Sequence, residues 1–258
     1  MTRVALVTGA ARGIGAATVH TLAACGWSVL AVDACADDPR LPYPLATRAQ
    51  LDAVASVEGV HAFVADVRDP VALAAAVAEA ESRWGGLDAA IACAGVIAGG
   101  VHQHDVPLER ERVVLEVNLG GVLNLARAAT PALLRRPAPR AGRFLAVASS
   151  AATHGLPLLA AYCAAKAGVT GLVRALAAEL AGTGVTANAV SPGSTDTAIL
   201  AESARLYGLA DVAEFGAQQA LGRLIEPSEV AAVLAFLASP ASGAVTGANV
   251  PVDGGFAL

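Results

Sequence analysis

The stretch RVALVTGAARGIG, Arg3 to Gly15, decides the fold of this chain. Its first half is an apolar run typical of a buried strand. Gly9, Gly13 and Gly15 follow with the spacing Gly-x-x-x-Gly-x-Gly and lead into a helical pattern. Glycines let the backbone turn sharply and let a phosphate approach the helix N-terminus, where free N–H groups favour anions. The stretch predicts a strand, a phosphate-binding turn and a helix, although tight strand-to-helix packing alone also explains such a turn.

Strand and helix patterns alternate along the rest of the chain. Further apolar runs predict buried strands at WSVLAVD, HAFVADV, LDAAIACAG, GRFLAVASS, VTANAVSPG and NVPVDGG. Helical patterns lie between them; the longest runs from Leu108 to Leu134, and another begins at Asp69 with Pro70 in its first turn. This alternation predicts an α/β fold with a single Rossmann-type, doubly wound parallel sheet and helices on both faces. No linker or repeat interrupts it, so we expect one domain over residues 1–258.

Composition excludes several kinds of partner. Only 17 Lys and Arg residues are spread along the chain and the net charge is −5, which argues against a nucleic-acid surface. Alanine contributes much of the 55% hydrophobic content, and the apolar stretches are interrupted well short of a membrane span. The N-terminus does not have the layout of a signal peptide. We expect a cytoplasmic protein with no nucleic-acid or membrane partner.

Cysteine and histidine spacing does not predict a metal site. The four cysteines are far apart and form no Cys-x-x-Cys pair: Cys25, Cys35, Cys93 and Cys163. They are expected to be small buried side chains. His102 and His104 have no evident third ligand, so no metal is expected.

Two acidic residues end predicted strands near the glycine turn. Asp33 closes the second strand, where a carboxylate can accept hydrogen bonds from both ribose hydroxyls of an adenosine. Its charge repels a 2'-phosphate, so it favours NAD over NADP. Asp66 ends the third strand at a similar edge and can reach the adenine. For Asp33, a solvated loop acid is the alternative.

Another group of residues has the chemistry of proton transfer. Tyr162 and Lys166 are four apart in YCAAK, which places both side chains on one face of a helix. A phenol with a pKa of about 10 is a weak base at neutral pH, but a neighbouring ammonium favours the phenolate. Ser149 ends an earlier strand, where its hydroxyl can bind the same substrate oxygen. A lone pair at this spacing is usually an ordinary surface pair; the combination favours catalysis.

In their order along the chain, these motifs resemble the short-chain dehydrogenase/reductase family, and the resemblance covers nearly the whole chain. It implies that the catalytic residues are Asn118, Ser149, Tyr162 and Lys166. It also implies NAD as the cofactor, bound by Gly9, Arg12, Gly13, Ile14, Gly15, Asp33, Asp66, Val67, Ala94, Gly95, Pro192, Gly193, Thr195 and Thr197. In the family, the asparagine helps to hold a water that relays protons, and the Pro-Gly segment packs on the nicotinamide. One motif departs from the family: its usual Asn-Asn-Ala-Gly is ACAG here, Ala92 to Gly95.

An insert at residues 34–50 separates Asp33 from the next helical pattern and contains three prolines and Tyr43. Because Asp33 is expected at the adenosine end of the cofactor, we expect the insert to fold over the adenosine as a lid. With CAGVIAGG and SPGSTDTAIL, it is similar to the mycofactocin-associated subgroup of the family. That similarity implies NAD that does not readily exchange and an external redox carrier that regenerates it. A surface loop without a role in cofactor binding is the alternative.

The expected function is NAD-dependent interconversion of a hydrophobic secondary alcohol and its ketone by hydride transfer, with Tyr162 moving the hydroxyl proton. Residues 198–227 are expected to cover the substrate. An apolar roof is expected from Leu156, Leu158, Leu159, Leu200, Leu206, Tyr207 and Phe215, although core packing explains these residues equally well. His154 is a candidate substrate contact. The alternatives are a carrier-linked 3-ketoacyl reductase, which usually prefers NADP and is therefore opposed by Asp33, and a non-catalytic NAD-binding scaffold.

The family resemblance also implies a homotetramer. Its subunits would meet through the long helices that hold Asn118 and Tyr162. The apolar VLAFLA and the C-terminal FAL fit a second interface.

Overall fold

The computed structural model describes residues 2–256. The strands of this range are β1 (Val4–Thr8), β2 (Ser28–Asp33), β3 (Val60–Val64), β4 (Ala89–Ala92), β5 (Arg143–Val147), β6 (Thr186–Pro192) and β7 (Asn249–Val252). The helices are α1 (Gly13–Ala24), α2 (Arg48–Val54), α3 (Pro70–Trp84), α4 (Leu108–Leu115), α5 (Gly121–Arg135), α6 (Ala160–Glu179), α7 (Ala198–Tyr207) and α8 (Pro227–Ala238). All strand pairs are parallel, in the order β3-β2-β1-β4-β5-β6-β7. The predicted doubly wound sheet with helices on both faces is confirmed.

Side chains of the central strands alternate between two helical layers. Val4 and Leu6 pack with α3, α5 and α6, whereas Ala5 and Val7 pack with α1, α2 and α8. Every residue of β1, β4 and β5 is buried. Strands covered on both faces have little need of polar side chains, which explains why these three are apolar except for Thr8 and Arg143 at their ends.

The order of the strands reverses beside β1. From β1 the chain passes to β2 and β3 on one side of the sheet and then crosses to β4 on the other. Such a reversal opens a crevice at the carboxyl ends of the strands. The loops that follow β1 and β4 meet in this crevice, which is where ligand-binding residues are expected.

The long helix predicted from Leu108 to Leu134 is not regular throughout. It consists of α4, a π-helical turn at Glu116–Gly120, and α5, which continues to Arg135. Single π turns within helices frequently occur at functional sites. Here the turn contains Asn118, one of the predicted catalytic residues.

Two helix starts follow from capping. Asp69 caps α3 by accepting hydrogen bonds from the backbone N–H groups of Val71 (2.8 Å) and Ala72 (3.1 Å), with Pro70 in the first turn as predicted. Thr47 caps α2 through a reciprocal pair of hydrogen bonds with Gln50. The insert therefore ends at Thr47, whereas the sequence pattern had placed its end at residue 50.

Within residues 2–256, no helix is long and apolar enough to cross a membrane. Of the C-terminal FAL predicted to join an interface, Ala257 and Leu258 lie outside the described residues.

Candidate active site

A cavity of about 580 Å³ lies at the carboxyl ends of the strands. It is lined by residues that follow β1 through β6, together with parts of the insert, α6 and α7. Every residue predicted for the site lines this cavity except Asn118, which is fully buried behind it. The fold therefore brings the predicted cofactor and catalytic residues into one place.

The glycine turn after β1 has no room for side chains. Gly9 and Gly13 have positive φ angles of 65° and 56°. A Cβ on Gly9 would lie 2.6 Å from the Ala94 Cα, and one on Gly15 would collide with the Gly9 carbonyl oxygen. The missing side chains let the turn approach the end of β4 and leave the first N–H groups of α1 facing the cavity, as anion binding requires.

Asp33 lies beside this turn at the end of β2. Its carboxylate accepts hydrogen bonds from the backbone N–H groups of Ala11 (3.1 Å) and Cys35 (3.3 Å). These bonds fix the carboxylate at the edge of the cavity. The position also suits the ribose acceptor predicted from the sequence, because carboxylate oxygens can accept several hydrogen bonds.

A chain of five charged side chains, the ion chain, ties the insert to the walls of the cavity. Arg68 donates from Nε to both carboxylate oxygens of Asp66 (3.0 Å) and from Nη1 to Asp38 (2.6 Å). Arg40 donates from Nε to Asp38 (2.9 Å) and from Nη1 to Glu116 (2.9 Å). Asp38 is 5% exposed, and the Arg40 hydrogen bond holds its pKa far below the usual value. For Asp66, burial raises the pKa, but the Arg68 hydrogen bonds outweigh burial and the pKa is lowered.

The insert reaches further than the sequence had indicated. Tyr43 was expected over the adenosine, but its hydroxyl accepts a hydrogen bond from the backbone N–H of Ile97 (2.9 Å), beyond the end of β4. Its ring belongs to an apolar cluster with Leu41, Val114 and Tyr162. Burial raises the pKa of Tyr43 to about 12. The insert thus crosses the cavity from the β2 side to the side of Tyr162.

Ser149, Tyr162 and Lys166 meet at the end of β5. The Lys166 Nζ donates a hydrogen bond to the Val147 carbonyl oxygen (2.8 Å) and lies 5.7 Å from the centre of the Tyr162 ring. Burial lowers the pKa of Lys166 to about 8. Burial raises the pKa of Tyr162 to about 12, with a smaller opposing effect of Ser149. The predicted stabilisation of the phenolate relies on a neighbouring ammonium and on a cationic nicotinamide; without the nucleotide, burial has the larger effect.

Asn118 supports the site from behind. Its side chain accepts a hydrogen bond from the Val96 N–H and donates one to the Val96 carbonyl oxygen, both at 2.8 Å. Gly95 lies in front of Asn118, where there is little room for a side chain: a Cβ there would lie 3.3 Å from the Asn118 Oδ1 and 3.8 Å from the Lys166 Nζ. The asparagine therefore fixes the loop after β4 close to the ammonium.

The segment from Pro192 to Thr197, here called the Pro-Gly segment, forms the wall opposite the glycine turn. Thr197 caps α7 by accepting a hydrogen bond from the Leu200 N–H (3.4 Å). A Cβ on Gly13 would lie 3.2 Å from the Thr197 Cγ2, which shows how closely the two walls face each other. The Thr195 hydroxyl donates to the Gly193 carbonyl oxygen (3.1 Å), so its side chain serves the segment itself.

The predicted apolar roof is formed in part. Its cavity-lining members are Leu156, Leu159, Leu200, Tyr207 and Phe215, joined by Leu209 and Phe256. Leu206 does not line the cavity; it packs over Gly100, where a Cβ would lie 3.0 Å from its Cδ2. Leu158 is also outside the lining, because it adopts a positive φ of 63° and uses its carbonyl oxygen to accept from the Gly100 N–H (3.1 Å). His154 lies against the Phe256 ring at 5.6 Å, outside the cavity lining.

Comparisons with known proteins agree with this geometry. Residues 9–257 match a protein-family model described as enoyl-(acyl carrier protein) reductase. The chain belongs to the short-chain dehydrogenase/reductase family.

Individual relatives align over nearly the whole length. The cis-4-hydroxycyclohexanecarboxylate dehydrogenase of Sinomonas cyclohexanicum is 40% identical over 98% of this chain and 96% of its own. The short-chain reductase protein NovJ of Streptomyces niveus is 38% identical over 98% and 93%. Among solved structures, carveol dehydrogenase from Mycobacterium avium in complex with NAD superimposes with a TM-score of 0.92 at 32% identity, covering 98% of this chain and 96% of that one.

The family's usual asparagines after β4 are replaced without loss of strand pairing. Ala92 pairs with Thr8 of β1 and with Ala146 of β5. Cys93 lines the cavity, and burial raises the pKa of its thiol to about 12. The backbone ladder alone therefore holds the centre of the sheet at this position, and the thiol stays protonated.

Sequence reasoning did not find the ion chain or Gln219, whose buried side chain binds the Pro-Gly segment. The charged residues lie in three distant parts of the sequence, and nothing in their local pattern distinguishes them from surface charges. Arg68, two residues after Asp66, carried the one available signal, since a nearby guanidinium can pair with a carboxylate. Within the residues that the structure describes, no cluster of three or more potential ligands could hold a metal ion.

The buried ammonium of Lys166 predicts how stability depends on pH. Its pKa is lowered from 10.5 to about 8 in the folded protein. Between these values the unfolded chain binds more protons than the folded one, so stability rises as the pH rises. In protein freed of nucleotide, Lys166→Met should remove this gain, worth about 3 kcal/mol across the interval. Urea unfolding of both proteins at neutral and alkaline pH measures it. An equal pH dependence in the two proteins would contradict the assignment of a buried, destabilised ammonium.

Proposed function

We propose that this protein interconverts a neutral, hydrophobic secondary alcohol and its ketone, with NAD as the hydride acceptor or donor. As a member of its family it is an oxidoreductase that acts on CH–OH groups and uses NAD. The observation that carries the proposal is the convergence of Ser149, Tyr162 and Lys166 on one cavity with an apolar roof.

The cavity fits NAD at its β1 and β2 edge. The three glycine positions form a cradle that side chains would fill, and the open N-terminus of α1 suits a pyrophosphate. Asp33 offers carboxylate oxygens to an adenosine ribose and opposes a 2'-phosphate. Asp66 and Val67 would border the adenine, and the Pro-Gly segment would border the nicotinamide.

The proposed mechanism divides the work among three side chains. When bound, NAD supplies the redox chemistry by taking hydride from the alcohol carbon or returning it to the ketone. The Tyr162 phenolate removes the hydroxyl proton in oxidation, and the phenol returns it in reduction. Ser149 holds the reacting oxygen. Lys166, anchored on the Val147 carbonyl oxygen, places a positive charge beside the ring and opposes the effect of burial on the pKa of Tyr162.

The charges around the cavity support a neutral substrate. Among the described residues that line it, the cations are Arg12, Arg68 and Lys166, which belong to the cofactor end and to the catalytic group. The roof offers apolar side chains, with Ser203 and Gln218 as uncharged polar groups. A substrate with a carboxylate would lose the hydration of that group on binding and would find no cation to pair with it, which costs several kcal/mol. A cyclic or terpenoid alcohol without a charged group suits these walls.

The proposed function is tested with Tyr162→Phe. Wild-type protein should reduce bound or added NAD with cyclohexanol, whereas the variant should lose at least about a hundredfold in kcat because the proton acceptor is gone. The rate of NADH formation, followed by absorbance, measures the turnover of the wild-type protein and of the variant. NAD binding should be preserved in the variant. Tyr207→Phe is the matched comparison: its hydroxyl donates to the Pro157 carbonyl oxygen (2.7 Å), so most of the turnover should remain.

Other substrates separate the alternatives. Wild-type protein should use cyclohexanol at least about tenfold better, in kcat/KM, than 4-hydroxycyclohexanecarboxylate, since the charged group has no partner. Equal use would contradict a neutral substrate. The second candidate is reduction of a carrier-linked acyl group: the matched family is described as an acyl-carrier-protein reductase, and one relative is named a putative ketoacyl reductase of a polyketide synthase. Preferential turnover of a 3-ketoacyl thioester would establish it. A non-catalytic NAD-binding scaffold would be indicated if wild-type protein bound NAD without turning over any alcohol or ketone, and if Tyr162→Phe kept all of the protein's function.

We further propose that NAD exchanges slowly and that an external redox carrier, such as mycofactocin, regenerates it. The support is the ion chain, which attaches the insert to the adenine side through Asp66 and to the π-helical turn through Glu116. The Arg12 Nη2 donates to the Pro44 carbonyl oxygen (3.3 Å), and Tyr43 accepts from the Ile97 N–H, so the insert is held at four points. Slow release follows because an occupied cavity would open only after these bonds break.

Asp38→Asn tests this retention. Asparagine keeps the shape of the side chain but loses the charge that pairs with Arg40 and Arg68, so NAD should dissociate at least about tenfold faster. Wild-type protein, desalted exhaustively and then denatured, should release near-stoichiometric NAD on chromatography, and the variant much less. Asp52→Asn, which breaks an exposed pair with Arg48 on α2, is the control and should retain NAD. Equal retention of NAD by the wild-type protein and both variants would show that the ion chain does not slow the release of NAD.

A homotetramer is proposed as well. The supporting features are exposed apolar side chains on two helices, Leu123 of α5 (45% exposed) and Phe236 of α8 (49% exposed). Light scattering at micromolar concentration should give the mass of four chains, and a monomer would contradict it. The cytoplasmic location stays a prediction from composition.

A further inference from the structure

Gln219 has a buried side-chain amide that binds both the backbone N–H and the carbonyl oxygen of one residue of the Pro-Gly segment, Ser194. It is 4% exposed and follows the short 3-10 helix at Val212–Gln218. Its Oε1 accepts a hydrogen bond from the Ser194 N–H (3.1 Å), and its Nε2 donates to the Ser194 carbonyl oxygen (3.3 Å). The Nε2 also donates to the Arg223 carbonyl oxygen (2.7 Å). The side chain thus pairs with Ser194 as a neighbouring strand would.

Beside this contact there is no room for a side chain at the preceding residue, Gly193. A Cβ on Gly193 would collide with the Gln219 Oε1 and would come within 2.8 Å of the Asp253 Cα. The peptide of Gly193 is therefore confined between the amide on one side and the end of the chain on the other. Such confinement fixes the plane of the backbone that borders the cavity.

The main chain of Gln219 connects this segment to the substrate end of the cavity. Gln219 forms an isolated antiparallel bridge with Phe256, and the Leu221 N–H donates to the Gly254 carbonyl oxygen (3.1 Å). Phe256 lines the cavity together with Phe215 and Gln218, which lie just before Gln219. One residue thus joins the Pro-Gly segment to the walls around the substrate.

A second restraint keeps the segment folded without Gln219. The Ile225 N–H donates to the Ser194 carbonyl oxygen (2.9 Å), and the Asp196 N–H donates to the Ile225 carbonyl oxygen (2.9 Å). Loss of the amide would therefore loosen the segment without unfolding it. This predicts an effect on reaction geometry that exceeds the effect on stability.

We propose that Gln219 is a positioning residue that sets the orientation of the Pro-Gly segment, and through it the face that the nicotinamide turns toward the substrate. The inference rests on the proposed function, because it concerns the same reaction. It adds a residue from the substrate-covering segment to the machinery that orients the cofactor. Uncharged hydrogen bonds carry out this task, so a residue of similar shape without donors should fail at it.

Gln219→Leu tests the inference by two independent measurements. Wild-type protein should pass deuterium from a carbinol-deuterated cyclohexanol to a single face of the nicotinamide, as read by proton NMR of the NADH. The variant should label both faces and lose at least about tenfold in kcat, with little change in the melting temperature. Hydrogen exchange of the Ser194 amide should be at least about tenfold faster in the variant, whether or not substrate is present. Gln103→Leu, which removes an exposed amide bonded to Glu111, is the matched control and should behave as wild type.

A second variant, Gln219→Glu, should recover part of the lost activity when its carboxyl group is protonated. A carboxylate can accept from the Ser194 N–H but cannot donate to the two carbonyl oxygens, whereas a protonated carboxyl can donate once. Its kcat relative to wild type should therefore rise as the pH falls. Wild-type labelling and Ser194 exchange in Gln219→Leu would overturn the proposal, and so would lowered stability with single-face labelling. If wild-type protein oxidises no alcohol but Ser194 exchange still responds, the proposed function fails while the positioning of the segment stands.

Discussion

The close approach of two loops at the centre of the sheet is the constraint on which the rest of the site depends. The turn after β1 comes within hydrogen-bonding range of the chain after β4, and Gly9 makes this possible because a Cβ there would lie 2.6 Å from the Ala94 backbone. The first turn of α1 is thereby aimed into the crevice where the strand order reverses. A side chain at Gly9 would separate the loops, and one at Gly15 would collide with the Gly9 carbonyl oxygen inside the turn.

Around that centre, the site contains ionisable side chains that are buried away from water. Lys166 and Tyr162 are both buried, and burial moves their pKa values in opposite directions, each toward the neutral form. A proton-transfer pair in this condition depends on neighbouring dipoles and on the charge of whatever binds beside it. The Val147 carbonyl oxygen and the loop fixed by Asn118 supply the local part of this environment. In the proposed mechanism the positive charge of the nicotinamide would supply the remainder, which would link cofactor binding to the proton transfer by Tyr162.

Features carried by local pattern could be predicted from the sequence, and features that depend on distant segments could not. The parallel sheet follows from alternating apolar runs, and the convergence of Asp33, Ser149 and Tyr162 follows because carboxyl ends of parallel strands meet at one edge. By contrast, Asp38, Arg68 and Glu116 come together only after folding, so their pairing has no local signal. Tyr43 was assigned to the wrong end of the cavity because the direction of an insert depends on where its far anchor lies. The burial of Tyr162 also had no local signal, because sequence spacing reveals the neighbouring Lys166 but not the loss of water around the ring.

The insert, fastened at both ends across the cavity, makes the order of events during folding important. Its anchors on the β3 side, on the π-helical turn and on Ile97 belong to segments that become neighbours only when the sheet is complete. Once they are joined, the insert spans the cavity beside the glycine turn. If NAD exchanges as slowly as proposed, a nucleotide that is present while the chain folds is enclosed, whereas one that arrives later has to wait for a local opening. For such a protein, the cellular supply of nucleotide during synthesis would determine how many molecules become active.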